Sequence, residues 1–128
     1  MPLLWHIDDG QHLLAVSAAT AARTASWRFE GFPTGHEALL AYQERPPDQR
    51  PDAILMDYYI GDERGDTVTR ALRRLDPRPG RTCIIGHSSV RRASEAILAA
   101  GGDLILRKHR DGTGINPDLL AWLEAQEG

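Results

Sequence analysis

Five short apolar runs, at 3–7, 27–32, 53–56, 82–85 and 104–106, constrain this chain more than any other feature. Each has the length of a strand, and most are unbroken rather than alternating, the pattern of strands covered on both faces. Between and after them lie segments of helical period at 11–25, 36–44, 66–75, 91–100 and 117–126. Strand and helix thus alternate five times. Such alternation predicts right-handed parallel crossovers and a doubly wound α/β sheet with helices on both faces. The punctuation agrees. Gly101-Gly102 closes the fourth helix, Asn116-Pro117 opens the fifth with an N-cap and a first-turn proline, and Pro46, Pro47 and Pro51 break the chain before the third strand.

At 128 residues the expectation is one domain, 1–128, with a core large enough to need no disulfide. The single Cys83 can form no internal disulfide. Fifteen cationic against eighteen acidic residues give a net charge of −3, which lacks the basic field that non-specific nucleic-acid binding uses, so no nucleic-acid partner is expected. The first apolar run meets Asp8 and Asp9 too soon for a signal or membrane segment, and a cytoplasmic chain without membrane contact is expected. No linker or composition break announces an output domain. Fourteen of the fifteen cations are Arg; Lys108 is the one lysine, which marks a position where the chemistry calls for an ammonium.

In an open parallel sheet, ligands bind beyond the carboxyl ends of the strands. The residues there are Asp8-Asp9 after the first run, Asp57 after the third, His87-Ser88-Ser89 after the fourth and Arg107-Lys108 after the fifth. Three carboxylates at neighbouring strand ends repel one another unless a cation lies among them, and hard oxygen ligands suit Mg²⁺, which also accepts a phosphate oxygen. A hydroxyl and an ammonium across the same crevice are natural partners for the remaining oxygens of that phosphate.

The motifs at these ends are Ile7-Asp8-Asp9; the run from Ile54 through Asp57 to Asp62, with Gly65 eight residues past Asp57; Ile84-Ile85-Gly86-His87-Ser88-Ser89; and Ala100-Gly101-Gly102-Asp103 leading to Lys108. In this order and spacing the chain resembles the receiver domains of bacterial two-component response regulators, from Leu3 to about Glu124. The resemblance implies a flavodoxin-like fold with strand order 2-1-3-4-5. It implies Asp57 as phosphoacceptor, Asp9 as a direct Mg²⁺ ligand beside Asp57, Asp8 as a ligand through water, and the Tyr59 backbone carbonyl as a further ligand. Ser88 matches the switch hydroxyl, and Lys108 the family's lysine. Three positions depart from the pattern: His109 stands where a proline follows the lysine, Ile105 where the switch aromatic stands, and Ser89 where a small residue follows the hydroxyl.

The implied function is that of a stand-alone response regulator, not an enzyme beyond its own aspartyl phosphorylation and dephosphorylation. It would take a phosphoryl group from a sensor histidine kinase in a Mg²⁺-dependent reaction and signal through a regulated protein contact. The alternative is a phosphorelay carrier that passes the group to a histidine phosphotransfer protein. A homodimer or an output protein is expected to dock on the fourth helix, fifth strand and fifth helix, with Trp122 as a partly exposed anchor beside the core residues Leu119, Leu120 and Leu123. The Tyr59 ring is expected to hinder the water that would remove the phosphoryl group. Other chemistries fit less well. Gly86-His87-Ser88-Ser89-Val90 lacks the second glycine of a nucleophile elbow. Asp57-Tyr58-Tyr59 lacks the second aspartate of the haloacid-dehalogenase-like phosphatases. His6 and His87 read as core histidines, Cys83 as inert core, and Arg70, Arg73 and Arg74 as a solvated helix face.

Overall fold

Parallel strands covered on both sides can be apolar without alternation, and β1 (Leu3–Ile7) is buried at all five positions. The four residues of β3 (Ala53–Met56) are buried too. The computed structural model describes residues 2–77, 82–108 and 114–127. The remaining elements are α1 (Gln11–Ala22), β2 (Arg28–Phe32), α2 (Gly35–Glu44), a hairpin of β4 (Tyr59–Ile60) and β5 (Glu63–Arg64), α3 (Gly65–Leu75), β6 (Cys83–Gly86), α4 (Arg91–Ala99), β7 (Leu104–Ile105) and α5 (Pro117–Glu127), with a 3-10 turn at Pro47–Gln49. The main sheet runs β2-β1-β3-β6-β7 and is parallel throughout, which is order 2-1-3-4-5 when its own strands alone are numbered. This is the expected flavodoxin-like arrangement.

The helices divide between two faces. Leu3, Trp5, Ile7, Ile54, Met56 and Ile84 pack with Ala38 and Tyr42 of α2, Val68 and Leu72 of α3 and Ile97 of α4. On the other face Leu4, Ala53, Leu55 and Ile85 meet Ala21 of α1 and Leu119 and Leu123 of α5. The ends of the strands continue in register. The amide of Asp8 donates to the Phe32 carbonyl, that of Asp57 to Ile7, that of His87 to Met56 and that of Leu106 to Gly86, at 2.9–3.1 Å, so the residues after each strand form one row along the carboxyl edge.

Boundaries depart from the expected ones where a side chain redirects the backbone. Helix α1 stops at Ala22 rather than 25, because the Thr24 hydroxyl donates to the Ala21 carbonyl at 2.7 Å and accepts from the Trp27 amide at 3.2 Å, turning the chain into β2. The expected cap of α5 is in place, with Asn116 Oδ1 accepting from the Leu119 amide at 3.1 Å. Gly101 takes φ +123° after α4, and the amide of Gly102 reaches back to the Ile97 carbonyl at 3.0 Å.

One surface reading changes. Arg73 is a structural tie: it donates to the carbonyls of Gly101 and Thr82, each at 2.9 Å, and to the Asp103 carboxylate at 2.8 Å, fastening α3 to the turn before β7. Trp122 is half-buried against Trp27, ring centroids 6.0 Å apart, and the Trp27 indole donates to the Leu123 carbonyl at 3.1 Å. Cys83 is half-buried, its thiol pushed up to about 11 by burial and by the Asp103 charge, which keeps it protonated and unreactive. No helix among the described residues is long and apolar enough to cross a membrane.

Candidate functional site

The row at the carboxyl edge gathers charge. Asp8, Asp9 and Asp57 bring carboxylate oxygens within 4.8 Å of one another. Lys108, at the end of the β7 strand path, lies between two of them, its Nζ 3.0 Å from Asp8 Oδ2 and 3.0 Å from Asp57 Oδ1, with the side chain 10% exposed. Asp8 Oδ1 accepts from the Gly10 amide at 2.9 Å, and Asp57 Oδ1 accepts from the Tyr58 amide at 2.9 Å. Neither contact involves Asp57 Oδ2. Asp9 is exposed and turns toward the hairpin, where its Oδ2 accepts from the Gly61 amide at 3.0 Å; Gly61 supplies the φ of +61° that the tight β4–β5 turn requires.

The two buried carboxyls are driven apart in acidity. Burial alone would raise Asp8, but the His6 side chain, the Gly10 amide and the Lys108 charge outweigh it and hold Asp8 well below the ordinary carboxylate range. Asp57 goes the other way: burial and then the Asp8 charge raise it, and Lys108 only partly offsets them. The cluster therefore carries more negative charge than its one ammonium balances. Hard oxygen donors in this number fit a divalent cation, as does Asp8 Oδ2, a buried atom without a well-aligned hydrogen bond among the described residues.

Backbone approach fixes the acceptor loop. Gly65 opens α3 with its amide donating to the Tyr58 carbonyl at 2.7 Å, and a Cβ there would sit 1.9 Å from the Asp57 carbonyl oxygen. Only glycine fits. Tyr59 pairs with Arg64 in the hairpin, while its ring is 62% exposed and stands edge-on to Tyr58 at 4.7 Å.

Ser88 is buried just past β6, where its hydroxyl accepts from the Val90 amide at 3.1 Å and its own amide donates to Ser94 Oγ at 3.0 Å. Ser88, Ser89 and Ser94 line a cleft of about 370 Å³ together with Ile105, Arg91, Arg107 and Lys108. His109 and its peptide bond to Lys108 lie outside the described residues.

Sequence reasoning passed over His6. His6 on β1 and His87 just past β6 are both buried, as a core reading expects, yet His6 meets Asp8, Nε2 to Oδ2 at 3.2 Å, and packs at a steep angle to the His87 ring with ring centroids 5.4 Å apart. The signal was present: on a strand, residues two apart share a face, so a histidine two before Asp8 must lie beneath it. His87 is sealed, its Nδ1 2.7 Å from the Leu106 carbonyl, and burial together with the neighbouring His6 pulls it down from 6.5 to about 3.

Neither a family model nor a curated protein sequence matches this chain. Solved structures do. The Vibrio cholerae chemotaxis protein CheY4 superposes with a TM-score of 0.77 at 21% identity, covering 98% of each chain. A CheY-like response regulator receiver domain protein from Methanospirillum hungatei gives 0.76 at 18%, covering 100% of this chain and 99% of its own. A Burkholderia pseudomallei response regulator with a phosphorylated aspartic acid and a calcium ion gives 0.71 at 16%, covering 100% of this chain and 74% of its own. Identities this low speak to architecture, and over nearly its whole length the chain has the fold of the CheY-like response regulator receiver domains.

Proposed function

We propose that this chain is a cytoplasmic, single-domain response regulator, 1–128, that accepts a phosphoryl group on Asp57 from the phosphohistidine of a sensor kinase. The observation that carries this reading is Lys108 Nζ, 3.0 Å from both Asp8 and Asp57 at the carboxyl edge of a receiver-type sheet. The phosphorylated aspartic acid and calcium ion of the Burkholderia regulator support it by analogy of fold. Asp57 Oδ2 is the oxygen outside the Lys108 and Tyr58 contacts, and it attacks phosphorus in line as the bond to the kinase imidazole nitrogen breaks. Lys108 then donates to one phosphoryl oxygen. Ser88, released from Val90, donates to another. Asp9, Asp57 and the Tyr59 carbonyl would hold Mg²⁺ directly and Asp8 through water; when bound, the ion neutralises charge on the phosphoryl oxygens.

Asp57 phosphorylation adds charge that draws Ser88 across, and this shift biases the surface of α4, β7 and α5 toward a homodimer or an output protein. The test is intact mass after incubation with a small acyl phosphate and Mg²⁺. The wild type is expected to take one phosphoryl group, and Asp57→Asn none. Equal incorporation in both proteins overturns the assignment. The lifetime of the group separates the two signalling modes: a long-lived adduct marks a switch, and rapid return to a phosphotransfer histidine marks a relay carrier.

A further inference from the structure

His6 and Asp8 are each 1% exposed and share one face of β1. On its other side the His6 ring is anchored to α1, Nδ1 lying 2.8 Å from Ser17 Oγ, and its face is closed by His87, which is itself fixed to the Leu106 carbonyl. The ring is held from three sides. Nε2 faces Asp8 Oδ2 at 3.2 Å, a close contact rather than an aligned hydrogen bond, while Nδ1 and the Ser17 hydroxyl share a hydrogen bond.

We propose that His6 is a positioning residue, and that the chain Ser17–His6–Asp8 holds the Asp8 carboxylate toward a divalent cation bound among Asp8, Asp9 and Asp57. The inference rests on the cation site proposed above. His6 is not itself a ligand, since the ligand atoms that gather within 4.8 Å among the described residues come from the three aspartates, and it acts through Asp8. Lys108 competes for the same oxygen, Oδ2, at 3.0 Å. With an apolar side chain at position 6, Asp8 has only Lys108 against Oδ2 and turns to it, away from the cation. Partners that orient a metal-bound carboxylate or imidazole in this way govern affinity without touching the ion.

The experiment titrates Mn²⁺ into the full chain, reading free ion by electron paramagnetic resonance and then displacing it with Mg²⁺, on wild type, His6→Val, His6→Gln and Ser17→Ala, each first checked for its fold by circular dichroism. His6→Val is expected to bind Mn²⁺ about 10-fold more weakly, while His6→Gln, whose side-chain N–H reaches the same oxygen, stays within about 3-fold of wild type. Ser17→Ala falls between them. Equal affinity in wild type and His6→Val overturns the inference, as does a loss in His6→Gln as large as in His6→Val, which shows that ring shape and not the N–H matters. If His6→Val does not fold, unchanged affinity in Ser17→Ala overturns it. A wild type that binds no Mn²⁺ overturns the cation site as well, so the two failures are told apart.

Discussion

The two faces of the sheet use the same strands and end differently. Toward α2, α3 and α4, Trp5, Ile7, Ile54, Met56 and Ile84 carry apolar side chains to the strand ends. Toward α1 and α5, the rank Leu4, Ala53 and Cys83 is followed by His6, Leu55 and Ile85, and the next rank is Asp8, Asp57 and His87. Period-two alternation thus assigns stability to one face and chemistry to the carboxyl end of the other. Polar groups on the second face are held at one atom each, His6 Nδ1 by Ser17, His87 Nδ1 by the Leu106 carbonyl and both aspartates by the Lys108 charge, while His6 Nε2 and Asp8 Oδ2 are left without an aligned hydrogen bond.

Substitutions on the two faces should therefore fail in different ways. Trp5 is fully buried, tilted on Phe32 at 4.4 Å and edge-on to Tyr42 at 6.0 Å. Trp5→Ala is expected to cost about 3–5 kcal/mol in urea unfolding, while the phosphorylation rate per folded molecule stays as in wild type. A large rate loss without a loss of stability would erase the distinction between the faces.

The second face should show its cost in acid. Unfolded, His87 takes up a proton near 6.5; folded, not until about 3. Between these values the unfolded state binds the extra proton, so stability is complete above about 6.5 and drains away as pH falls, by up to about 1.4 kcal/mol per pH unit. Asp8, held low, adds its own loss only below its ordinary value of 3.8. His87→Leu should flatten the decline between pH 6 and about 4.5. A decline as steep as that of wild type would assign the proton elsewhere. The smallest effect concerns the hairpin: Tyr59→Ala is expected to shorten the aspartyl-phosphate half-life a few-fold, as read by the decay of the phosphorylated mass, and an unchanged half-life would remove Tyr59 from the path of water.

The central strands β1, β3 and β6 were legible because burial on both sides writes an unbroken apolar run, and Asp8, Asp9, Asp57 and Lys108 stood out because each follows an apolar run. Less visible were features that depend on register or on a single side chain. The β4–β5 hairpin has two residues per strand, too few to show a period. Arg73 has the sequence look of a solvated helix face, and its three anchors lie nine to thirty residues away. His6 and His87 become neighbours only once β1, β3 and β6 align. The partial exposure of Trp122 was legible in the helical pattern, but its partner Trp27, from the other end of the chain, was not.

The close approach of Gly65 to the Asp57 carbonyl bears on how such a chain can drift. The constraint is on backbone, and it holds whether or not the neighbouring carboxylate is ever used. Asp57, Asp9 and Lys108 answer to the proposed chemistry, whereas no side chain could stand at position 65 without moving the start of α3. In this architecture the glycine is tied to the shape of the backbone, and the acidic cluster with its lysine to the proposed use of the site.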